Sequence, residues 1–176
     1  MNPLKIKILF ISFFFIFSAC QYNNKEEVSV VYVDDYKEEK IALNREFVRR
    51  ENADIELIAK RYEWNLTRTE SGLYYQIVNK TEGEYPKKRD IVKIKGSIML
   101  ANGKEIYNSK TDGLKEFAVE QSEEPIGLHE LVKLMRVGEK SNAIIPSNLA
   151  YGLTGDGYEI PPAASLICKL ELVSIK

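Results

Sequence analysis

The residues best suited to chemistry lie near the C-terminus. Pro146, Leu149, Ala150, Tyr151 and Gly152 are followed by Ile160, Pro161 and Pro162, and then by an apolar run over residues 166–175. A tyrosine framed by glycine and proline puts a polar tip on an aromatic body within a loop, a layout for binding a ligand. The chain offers little for other chemistry. It has one histidine, His129, and two cysteines, Cys20 and Cys168, with no Cys/His spacing that would hold a metal. No cofactor and no metal are expected. His129 falls off the apolar face of its helical segment and is expected in solvent. Cys168 sits in an apolar strand and reads as a small buried hydrophobe.

The elements that must position Tyr151 follow from periodicity. Leu128, Leu131, Val132 and Met135 keep helical spacing over residues 127–135, and Gly138 stands where a helix should end. Residues 139–145 and 165–175 read as strands on either side of the tyrosine loop. Upstream, Val92, Ile94, Gly96, Ile98 and Leu100 alternate with Lys93, Lys95, Ser97 and Met99. Asn102-Gly103 then signals a hairpin whose second strand covers residues 104–109. Residues 110–116 read as loop, 117–119 as a short extended piece, and 73–78 as a strand in which Tyr74 and Tyr75 are surface decoration. The fold class is α+β, an antiparallel sheet around one short helix.

Residues 43–65 form a further helix, with Leu43, Phe47, Ile55, Ile58, Ala59 and Tyr62 near one face. That stripe is expected to pack on its own domain; the alternative is a homodimer interface. The chain therefore divides into residues 1–19, 20–40, 41–66 and 72–176. The first segment has Lys5 and Lys7 before an apolar run over residues 8–17 that is too short to span a bilayer. Ser18-Ala19-Cys20 follows, so residues 1–19 read as an export signal resembling a bacterial lipobox. Cys20 would become the lipidated first residue, anchored by acyl chains that contribute about 0.8 kcal/mol per buried CH₂. Residues 20–40 are polar and charged and read as a flexible tether. Overall, 25 basic residues nearly balance 26 acidic ones, which gives no electrostatic case for nucleic acid.

Several motifs occur together and in order: Gly103-Lys104 after Asn102, Met135 with Gly138, Ile145-Pro146, Ala150-Tyr151-Gly152, Ile160-Pro161-Pro162 and Leu170-Glu171-Leu172. Over residues 85–176 this set resembles the FKBP-type peptidyl-prolyl cis-trans isomerases. The lipobox, Trp64 and Gly72-Leu73-Tyr74-Tyr75 resemble a lipoprotein branch of that family, the gliding-motility-associated isomerases. The resemblance implies a roughly five-stranded sheet half-wrapped around a helix, with a proline pocket between them. It also implies a membrane-anchored lipoprotein facing the periplasm, with proline-containing polypeptides as clients.

The implied reaction needs few side chains. Rotation about an X–Pro bond faces a barrier of about 18–20 kcal/mol because the amide has double-bond character. The twisted amide has lost that resonance and is less dipolar, so a dry apolar pocket favours it over the planar form. One or two donors then hold the peptide. By resemblance, Tyr151 supplies the hydroxyl that donates to the bound carbonyl, and Ile160 is a wall residue. Ile106 stands where the family has a wall phenylalanine, and Leu128 where it has a floor tryptophan. Tyr107 replaces an aspartate, Gly96 a strand tyrosine and Cys168 a late-strand phenylalanine. Pro125 takes the position whose backbone N–H binds the peptide, and proline has none; the N–H of Ile126 is the substitute.

Two readings follow. In one, the chain is a lipid-anchored isomerase that assists folding in the cell envelope. In the other, the altered pocket leaves a peptide-binding chaperone or scaffold with little catalysis. A third reading makes the helix over residues 43–65 a docking element in a motility or secretion complex.

Overall fold

The computed structural model describes the backbone of residues 27–176 and the side chains from residue 36 onward. Residues 1–19, expected as an export signal, and Cys20 lie outside the described residues. Two compact units divide the chain, residues 1–46 and residues 47–176.

The first described element is a long helix, α1 (Glu27–Arg61). It runs through residues 27–40, where the charge pattern pointed to a flexible tether. Of these residues Glu27, Lys37, Glu38, Glu39 and Lys40 are strong helix formers, whereas the valines and aspartates are weak ones, so local propensity supports the helix chiefly over residues 37–40. Tyr36 and Lys40 add an i, i+4 contact, with the ammonium 4.4 Å from the ring centroid. The helix also stops four residues before the expected end at 65. Glu63 takes the left-handed conformation (φ 57°), and Trp64 N–H donates to Ala59 C=O at 2.9 Å. That closes the last turn as a glycine would, without the glycine that makes such an end readable.

In the second unit all strands run antiparallel in one seven-stranded sheet. They are β1 (Thr67–Arg68), β2 (Tyr74–Ile77), β3 (Ile91–Leu100), β4 (Glu105–Asn108), β5 (Lys115–Ala118), β6 (Lys140–Ile145) and β7 (Leu166–Ile175). The spatial order is β1-β2-β6-β7-β3-β4, and β5 also pairs with β3. β3 is long enough to pair with two short strands along one edge: β5 over Ile91 to Ile94 and β4 over Ser97 to Met99. The piece between them, expected as loop, is a one-turn helix, α2 (Ser109–Asp112), capped by the Asn108 side chain on Lys110 N–H.

Alternation along the central strands sorts side chains onto two faces. On one face, Ile94, Ile98, Ala143, Ile145, Leu166, Cys168, Leu170 and Leu172 form the main core with Leu128, Leu131 and Val132 of α3 (Ile126–Lys133). On the other face, Ile144 and Ile167 pack with Ile55 and Ile58 of α1. Tyr62 and Trp64 stack beside them, ring centroids 4.8 Å apart. Ile55 and Ile58 thus serve their own domain, as the stripe predicted, whereas Leu43 is exposed. Among the described residues no helix is long and apolar enough to cross a membrane.

Candidate functional site

The connection from β6 to β7 carries Tyr151, and its shape is set by its own backbone. Pro146 ends β6, and a single 3₁₀ turn, Ser147–Leu149, follows. Ala150 N–H donates to Pro146 C=O at 3.0 Å, Gly152 N–H to Ser147 C=O at 2.8 Å, and Ala163 N–H to Gly152 C=O at 2.9 Å. Gly152 sits at φ 64°, a left-handed turn that glycine accepts without strain. At the tip, Asp156 Oδ1 accepts from the N–H groups of Tyr158, Glu159 and Ile160 at 2.8 to 2.9 Å. These bonds hold the Asp156 carboxyl below the usual carboxylate range. They also fix Ile160, which is 4% exposed and belongs to the main core.

Tyr151 is half-buried and packs against that core together with Ile106. Its hydroxyl has no hydrogen-bond partner among the described residues. No buried side-chain N or O lacks a partner there, so the hydroxyl is reached by solvent. Burial, and then the charges of Glu124 and Asp156, push its pKa above the ordinary phenol value. It therefore stays a donor across the physiological range.

Leu128 is fully buried on α3, within the same core. The structure thus brings Tyr151, Ile106, Leu128 and Ile160 to one cluster. Ile126 differs. Its side chain is 69% exposed, and what it offers is its backbone N–H at the first position of α3, with no acceptor among the described residues. Pro125 precedes it as the helix entry (φ −54°, ψ 142°), its carbonyl accepting from Leu128 and His129 N–H.

The family model described as FKBP-type peptidyl-prolyl cis-trans isomerase matches residues 82–173. The chain belongs to that family. It is 36% identical over 112 residues to the "FKBP-type 22 kDa peptidyl-prolyl cis-trans isomerase" of Escherichia coli, which covers 61% of this chain and 52% of that protein. Against Escherichia coli FkpA it is 33% identical over 135 residues, covering 73% of this chain and 49% of FkpA. It is 32% identical to the "Outer membrane protein MIP" of Legionella longbeachae over 106 residues, 60% of this chain and 45% of that protein. The chain thus spans about half the length of these relatives. The crystal structure of Escherichia coli FkpA superposes with a TM-score of 0.64 at 26% identity, covering all of this chain and 83% of that one.

Gly96 and Tyr107, where the resemblance implied other residues, lie on adjacent strands. Gly96 has φ 135°, and a Cβ there would lie 1.9 Å from Lys169 C=O. The backbone of β7 approaches so closely that no side chain fits. Tyr107 pairs with Ile98 across β3 and β4, and its hydroxyl reaches to 3.4 Å from Ile94 C=O. The ring therefore runs back along β3 and covers Gly96. Its hydroxyl donates to Gly113 C=O at 2.8 Å and accepts from Lys115 N–H at 3.0 Å. Burial raises the Tyr107 pKa as well.

Two further groups escaped the sequence reading. Lys115 Nζ pairs with Glu124 Oε1 at 2.8 Å and sits 5.4 Å from the Tyr107 ring centroid. The signal was present: Lys115 lies two residues before buried Phe117, so both face the same side of β5. His129 is a correction. It is buried, not solvated: Nδ1 accepts from Glu120 N–H at 3.1 Å, and the ring meets Phe117 edge-on at 5.3 Å. It ties the segment after β5 to α3, a contact between distant residues that helical spacing does not reveal. Cys168 is fully buried, and desolvation pushes its thiol up to about 12, which keeps it an inert packing group.

Proposed function

We propose that this chain is a prolyl isomerase that assists the folding of proline-containing polypeptides. The observation that carries the reading is the half-buried Tyr151, its hydroxyl unpaired within the described protein and its ring packed against the core that holds Leu128 and Ile160. In this reading Tyr151 donates to the carbonyl before proline, and the free N–H of Ile126 supplies a second donor in place of the one Pro125 lacks. The aliphatic walls favour the twisted amide by excluding water. A protease-coupled assay with an Ala-Leu-Pro-type peptide tests it. The isomerisation rate should rise linearly with protein concentration, and a rate equal to that of buffer at high protein concentration rejects the proposal.

A second reading is a peptide-binding chaperone or scaffold with weak catalysis. It is favoured by the Lys115–Glu124 pair at the wall, which puts charge where an apolar site needs hydrocarbon. Saturable binding of unfolded chains without isomerisation would select it.

We further propose a cell-envelope location with a lipid anchor on Cys20, facing the periplasm and associated with gliding motility. The support is the leader-like segment of residues 1–19, the lipobox-like Ser18-Ala19-Cys20, and the likeness to a relative named as an outer membrane protein. Cys20→Ser should move the protein from the membrane fraction to the soluble one; unchanged fractionation rejects the anchor.

A further inference from the structure

Glu51 of α1 reaches the Tyr151 loop at both ends. Its Oε1 accepts from Ser147 N–H at 2.7 Å and from Ser165 Oγ–H at 2.7 Å. Ser147 begins the turn that leads into Tyr151, and Ser165 immediately precedes β7. These partners are distant in sequence, 96 and 114 residues from Glu51. The same residue that Glu51 grips at the entry passes the constraint on. Ser147 C=O accepts from Gly152 N–H at 2.8 Å and from Ala150 N–H at 3.1 Å, so the residues on both sides of Tyr151 are bonded to it.

Packing does not provide this tie. A groove of about 400 Å³ runs between the helix and the loop, lined by Phe47, Glu51 and Ile55 on one side and Pro161, Ala164 and Ser165 on the other. The two hydrogen bonds cross where hydrocarbon contact is interrupted. A carboxylate acceptor makes bonds of this kind stronger than neutral ones, and a roof held at two points moves less than one held at its backbone alone.

We infer that Glu51 is a positioning residue that fixes the Tyr151 loop for catalysis, so that α1 is part of the working site and not only a support for the sheet. The inference rests on the isomerase reading for its effect on rate, but not for its effect on the loop.

Full-length Glu51→Ala, Glu51→Gln and Ile58→Ala proteins test it. Ile58 packs α1 on the sheet with Ile144 and Ile167, makes no side-chain hydrogen bond to the loop, and serves as the stability control. Glu51→Ala should lower kcat/KM roughly tenfold, mainly through kcat, because misplacing the donor affects the twisted state most. Glu51→Gln should stay within about twofold, because one amide oxygen can accept both bonds. Ile58→Ala should lower the melting temperature and leave kcat/KM near wild type. Hydrogen–deuterium exchange over residues 147–165 should quicken in Glu51→Ala and not in Ile58→Ala. Wild-type kcat/KM and exchange in Glu51→Ala, or rate losses in Glu51→Ala and Ile58→Ala that simply follow stability, would overturn the inference. An inactive wild type would reject the isomerase reading instead, and loop exchange alone would then decide the role of Glu51.

Discussion

The Tyr151 loop, the roof of the site, is shaped mainly by bonds within one stretch of chain and tied at its two ends by Glu51 of α1, whereas the wall is assembled from side chains on three strands. In the roof, Asp156 caps its own loop and Ser147 C=O closes the turn at Gly152. In the wall, Tyr107 of β4 covers Gly96 of β3 and bonds to residues at the start of β5. A roof made locally can keep its residue types while the wall changes. A wall made of interlocking parts must change in several places together. By the resemblance, Tyr151 and Ile160 keep the FKBP residue types, and Gly96 and Tyr107 depart from them as a pair.

The sharpest way to break this contrast is to give each region's glycine a methyl group. Gly96→Ala forces a Cβ against Lys169 C=O and should cost about 3 kcal/mol or more, read from the urea midpoint. Gly152→Ala meets nothing within 4 Å and should cost only about 1 kcal/mol, the left-handed backbone penalty. Equal losses would erase the distinction between roof and wall.

Tyr107→Phe comes between these two in size. It keeps the ring over Gly96 but strands Lys115 N–H and Gly113 C=O, and should cost about 1–3 kcal/mol. Isomerisation should fall less than stability does, since the apolar wall remains. A large rate loss without destabilisation would make Tyr107 a substrate contact instead.

The smallest effect concerns acid. The folded Asp156 carboxyl has a lowered pKa, so its stabilising bonds are fully present above the unfolded value of about 3.9 and are lost as the pH falls toward the folded one. Below about pH 4, wild type should lose stability faster than Asp156→Asn, measured by thermal melts across pH. Parallel melting curves would show that the cap contributes nothing to the roof.

What was legible in the sequence follows the same division. The strand alternation of β3, the Asn102-Gly103 hairpin and the apolar spacing of α3 are local patterns, and each element formed where the pattern put it. The loop that carries Tyr151 and Ile160 was legible because glycine and proline frame it. The covering of Gly96 by Tyr107 was not, since it depends on strand pairing and on a backbone approach from β7. His129 was misplaced because its burial comes from the segment around Glu120 and from Phe117. The start of α1 was misjudged because residues 28–36, rich in valine and aspartate, carry little helix propensity of their own. Its end was misjudged because Glu63, not glycine, takes the left-handed turn.

The most direct test is Tyr151→Phe in the protease-coupled isomerisation assay, alongside a thermal melt. The hydroxyl has no partner within the described protein, so its removal should leave the melting temperature unchanged while kcat/KM falls about tenfold, the loss of one hydrogen bond of about 1.4 kcal/mol. Full activity in the stable variant would contradict the claim that this hydroxyl holds the turning proline bond.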